Sequence, residues 1–77
     1  MIQLYRRTSP TQPFEKAGIP TTEADYHNSV AEQEYQKSTI HPQRQKDFQI
    51  VFIQFKDDEE LPKELTYDEA LERAYKP

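Results

Sequence analysis

Two histidines, His27 and His41, are the residues best suited to acid–base work or to holding a metal, because imidazole titrates near neutral pH and offers a lone pair. A zinc site needs three or four ligands at short spacings, and no HxxxH or HxxE pattern joins these two, which fall on different predicted elements. They read instead as a half-buried helix residue and a loop residue before Pro42. Ser9, Ser29 and Ser38 lack the strained GxSxG turn or SxxK spacing that would activate a nucleophile. Gly18 is the only glycine, so there is no glycine-rich phosphate cradle. With no cysteine there is neither thiolate chemistry nor a disulfide framework. These observations predict a non-catalytic chain with no cofactor and no metal.

The charged side chains suggest recognition. Asp57-Asp58-Glu59-Glu60 lacks the alternating ligands and central glycine of an EF-hand loop and reads as a solvated turn. Joined by Glu64, Asp68 and Glu72, it makes residues 47–77 distinctly acidic, with nine acids against four bases. Residues 1–46 are nearly neutral, with five acids and six bases. An acidic field repels phosphate backbones and favours a basic protein surface. The expected partner-binding set is therefore Asp57, Asp58, Glu59, Glu60, Glu64, Asp68 and Glu72, with Tyr35 and Phe55 as aromatic contacts. The alternative is a nucleic-acid-associated factor using Arg6, Arg7, Arg44 and Lys46, with Tyr5 and Tyr35 available for stacking. No RNP-like strand, zinc knuckle or basic helix accompanies those bases, which weighs against direct nucleic-acid binding.

Positioning such a surface requires a scaffold. Ile2 to Arg6 alternates apolar and polar residues and predicts a short strand. Residues 8–22 contain Pro10, Pro13, Pro20 and Gly18 and predict a proline-rich loop pinned by Phe14 and Ile19, with at most one helical turn over Phe14–Ala17. Thr21 or Thr22 can cap a helix over residues 23–37, since a hydroxyl there accepts an otherwise free first-turn amide. Ala24, His27, Ala31 and Tyr35 form its weak apolar stripe, with Tyr26 and Val30 beside them. His41-Pro42 disfavours continued helix, so residues 38–46 predict a second loop. Residues 48–55 are rich in β-branched and aromatic side chains and predict a strand apolar on both faces. Thr66 and Glu69 have capping-box spacing, with Leu65 and Ala70 placed as a hydrophobic staple. They predict a helix over residues 67–75 whose inner face is Leu71, Ala74 and Tyr75.

The reading is thus a small α+β fold on one domain, residues 1–77. It has two short strands and two helices in β-α-β-α order with long irregular loops, and residues 47–76 are its best-defined part. A right-handed crossover would set the two strands side by side. Ile, Leu, Val and Phe make up only 15 of 77 residues, close to the roughly 20% below which folding alone becomes doubtful. Two strands make a poor sheet, so strand 48–55 needs a cover: a larger protein, or a second copy pairing along the strand edge. The expected function is a protein-binding module, acting as an inhibitor, antitoxin-like regulator or accessory subunit of a larger protein with a basic surface. The lack of cysteine and of any long apolar run suggests a soluble, cytoplasmic setting with no membrane partner.

Overall fold

The computed structural model describes residues 1–77 and contains twice the expected number of strands. In chain order the elements are β1 (Ile2–Arg7), β2 (Phe14–Thr21), α1 (Tyr26–Ser38), α2 (Pro42–Gln45), β3 (Gln49–Gln54), β4 (Glu64–Leu65) and α3 (Tyr67–Arg73). The strands form one sheet in the order β3-β1-β2-β4, every pair antiparallel, curved into a half-barrel. The two-strand, two-helix β-α-β-α fold is therefore wrong. β1 and β3 are neighbours as expected, but antiparallel, so no right-handed parallel crossover is involved. A third helix, α2, lies in the expected loop 38–46, with Pro42 at its start and the His41 ring accepting from the Gln43 amide at 3.2 Å.

The largest error is in residues 8–22, where the prolines mask a strand. Pro10 and Pro13 lie in the short connection before β2, and Phe14 opens the strand as a buried core residue. The third proline is tolerated because β2 is irregular where it falls. Thr21 pairs with Ile2 and Ala17 with Leu4, so residues 18–20 bulge opposite Gln3 alone and Pro20 owes no ladder hydrogen bond. Gly18 turns the bulge with φ +68, a conformation that costs glycine little. The buried Gln3 side chain holds it there, its Nε2 donating to the carbonyls of Ala17 (2.7 Å), Leu4 (3.0 Å) and Gly18 (3.3 Å).

Alternation along the strands separates two faces. On one, Tyr5, Phe14, Ile53, Leu61, Leu65 and Ala70 form the core, with Val51 and Phe55 packed against it. α3 covers this face through Ala70. Leu71, expected to point inward, is 56% exposed. On the other face α1 lies over Leu4 and Phe52, the Tyr26 ring meeting Phe52 at 5.1 Å and Tyr75 at 5.0 Å. The inner stripe of α1 is Tyr26, Val30, Gln33 and Lys37, with Gln33 the helix's one buried residue. Ala24, His27, Ala31 and Tyr35 face solvent, because a polar residue stands where periodicity demanded an apolar one.

Two local devices fix the frame. Thr66 and Glu69 make the expected capping box, each side chain accepting from the other's amide at 3.2 Å. Arg7 is buried with its guanidinium 4.7 Å from the Phe14 ring centre and 4.9 Å from that of Tyr67. It donates to Gln49 Oε1 at 2.7 Å and to the carbonyls of Pro10 and Gln12 at 3.3 Å, tying the β1–β2 connection to the start of β3.

Candidate functional site: the edge of β3

β3 is an outer strand of the sheet. Met1 and Phe55 lie directly opposite one another and exchange both main-chain bonds, which fixes the phase of the β1–β3 ladder. By alternation Gln49, Val51 and Ile53 bond to β1, while Ile50, Phe52 and Gln54 turn their amides and carbonyls outward. The chain answers part of this edge itself. Ala74 bridges antiparallel to Ile53, and the Tyr75 amide donates to the Phe52 carbonyl at 2.6 Å. Two residues further along, the outward amide and carbonyl of Ile50 have no such strand beside them.

At that point the edge opens into a groove of about 520 Å³ between α1 on one face and α3 on the other. Its walls include Gln33 and Lys37 from α1, Ile50 from β3, and Tyr67, Leu71 and Ala74 from α3. Tyr67 and Leu71 are 49% and 56% exposed, an apolar rim that no part of the chain covers. Gln33 is 6% exposed and its Oε1 has no hydrogen-bond partner.

The acidic residues lie in three groups. Asp57, Asp58, Glu59 and Glu60 form an exposed turn over a shallow cavity of about 340 Å³ that also touches Phe55 and Gln3. Glu59 is already engaged, its carboxylate 2.7 Å from Arg73 and accepting from the Lys56 amide at 3.4 Å. Asp68 and Glu72 are exposed one turn apart on α3, while Glu64 is exposed on β4, at the far side of the sheet from β3. Phe55 is half-buried on the core, and Tyr35 is 72% exposed on the outward face of α1. The turn and Phe55 are thus brought together, and Tyr35 stands apart from them. Sequence reasoning missed Gln33, Ile50, Tyr67 and Leu71. The wrong helical phase assigned to α1 and α3 hid three of them, and Ile50 becomes an open edge position only once the sheet order is known.

Of the basic residues, Arg6 reaches Gln36 Oε1 at 3.3 Å, Arg44 and Lys46 are exposed, and Arg7 directs its donors into the fold. Burial pushes the Tyr5 phenol above its ordinary 10.0, Arg73 lowering it in part and Glu59 adding to the rise. The Tyr5 hydroxyl donates to the Pro62 carbonyl. Nowhere do three or more His, Asp or Glu side chains converge as a metal-binding group, and no helix is long and apolar enough to cross a membrane. No protein-family model, curated protein or solved structure matches the chain.

Proposed function

We propose that this chain is a non-catalytic protein-binding module, an inhibitor, antitoxin-like regulator or small accessory subunit of a larger protein. The observation that carries the reading is the β3 edge, with outward main-chain groups and an uncovered apolar rim, on a chain whose residues 47–77 are strongly acidic. Exposed edges invite another chain, and soluble proteins ordinarily blunt or cover them. The acidic turn and the acids of α3 supply the field that draws in a basic protein surface. The basic residues support nucleic-acid association less well, because Arg7 serves the fold.

Asp57, Asp58 and Glu60 are free of ion pairs, so Asp57→Lys, Asp58→Lys and Glu60→Lys together reverse the field without breaking a contact. Affinity capture from lysate of the source cells, with wild type and the triple variant compared, is the test. Partners retained by wild type and lost by the variant support the reading. An identical captured set from both chains refutes the acidic face as the contact surface.

A further inference from the structure

We propose that the groove beside β3 is a strand-acceptor slot whose occupant is an extended segment of a partner protein, laid antiparallel to β3 in the register that Ala74–Tyr75 now holds. This rests on the protein-binding reading above and adds the direction, the register and an internal competitor.

Two observations converge. The chain's own segment shows the mode of binding, since Ala74 bridges Ile53 and Tyr75 donates to Phe52 in antiparallel register. The outward groups of Ile50 lie two residues further along the same edge, about 6.6 Å away at the usual strand rise. An extended chain presents its own amide and carbonyl at that repeat, so one strand can serve Phe52 and Ile50 together. Gln33 borders the groove, but its Oε1 is wholly shielded and stays out of a ligand's reach. A purely apolar ligand would leave both Ile50 groups unpaired, whereas a peptide brings an N–H donor and a carbonyl acceptor.

The walls describe the visitor. Tyr67 and Leu71 offer an apolar seat to a side chain facing α3. The charged lining is balanced, Glu34 against Lys37, so main-chain pairing and the apolar seat do the selecting. A second copy of this chain fits less well. Symmetric pairing centred on Ile50 would set the copy's Phe48 opposite Phe52, where Tyr75 already sits, and both chains would have to release Ala74–Tyr75. A partner segment requires one such release.

The test uses the full ¹⁵N-labelled chain, its Tyr75→Ala variant, and as probe a synthetic peptide Arg-Ala-Tyr-Lys-Ala-Lys, which keeps residues 73–76 and puts alanine, with its amide, where the register sets a residue opposite Ile50. Tyr75→Ala removes the ring contact with Tyr26 and so weakens the internal competitor, which raises the binding-competent fraction and the apparent affinity. Peptide at millimolar concentration is expected to shift the Ile50 and Phe52 amides, with affinity about tenfold higher in Tyr75→Ala than in wild type. Should Tyr75→Ala fold poorly, Leu71→Ala, at an exposed position on the groove wall, gives the complementary reading, with the Ile50 and Phe52 amides shifting at several-fold weaker affinity. Absence of shifts at Ile50 and Phe52, equal affinity in wild type and variant, or a two-chain mass by light scattering overturns the proposal. If the charge-reversed chain still loses its captured partners while Ile50 ignores the peptide, the slot fails and the binding-module reading stands.

Discussion

Replacing Gln33 by leucine should make the isolated chain more stable, an unusual outcome for a change at a buried position. Gln33 is the one buried residue of α1, and its Oε1 has no partner. Leaving a buried polar group unsatisfied costs about 1–3 kcal/mol. Leucine has a similar volume, is as good a helix former, and meets Leu4 and Phe52 with apolar surface. Allowing for the solvent contact that the amide nitrogen gives up, a net gain of about 1 kcal/mol is expected. In a domain this size that corresponds to a rise of roughly 4–8 °C in Tm. Urea unfolding followed by circular dichroism is the assay, with the midpoint rising and the slope unchanged, because the same surface is exposed in both chains. Gln33→Glu should go the other way at neutral pH, since it buries a carboxylate, and should recover on acidification as that group protonates. A loss of about 1 kcal/mol or more in Gln33→Leu would show that the oxygen is satisfied in solution.

Arg7→Lys should cost about 2 kcal/mol, because a compact ammonium cannot span Gln49 and the two loop carbonyls while stacking on Phe14 and Tyr67. Denaturant titration checks this, and a loss under about 0.5 kcal/mol would place the residue among ordinary surface positions. Alkaline pH should destabilise the chain through Tyr5. Its phenol titrates higher folded than unfolded, chiefly by burial, so the folded state holds the proton more tightly. That stability is fully present below about pH 10 and drains away as pH rises through the folded value. The urea midpoint of wild type should therefore fall more steeply above pH 10 than that of Tyr5→Phe, and parallel curves would contradict the assignment.

The most legible parts of this fold were those specified by local chemistry. The Thr66–Glu69 capping box set the start of α3 because both partners lie within one turn, and the β-branched run at 48–55 could be little other than strand. β2 was hidden because its pairing is long-range information. Its exposed residues carry no alternation, and Pro20 argues against a strand until the bulge opposite Gln3 excuses the missing amide. The helical phases failed for a related reason. Gln33 and Ala70 face inward because the sheet geometry puts them there, while the more apolar Ala31, Tyr35 and Leu71 are left outside. Of the expected contact residues, the acids were readable as exposed from composition. Phe55 could not be told from a surface aromatic without knowing that Ile53 and Leu61 pack beside the same core.

The position of β1 between β2 and β3 has a consequence for how the chain acquires its shape. β1 and β2 are joined by a short connection and can zip together as soon as both exist. The other side of β1 must wait for β3, whose contacts arrive from 42 residues along the chain, Arg7 to Gln49, out to 54, Met1 to Phe55. Closing so long a loop is slow, and rates fall as contacts become more distant in sequence. During synthesis the nascent hairpin therefore carries an open inner edge, with Ile2 and Tyr5 uncovered, until α1 and β3 have emerged. The window in which this chain is most exposed to aggregation or to chaperone capture is set by its topology and by the pace of translation.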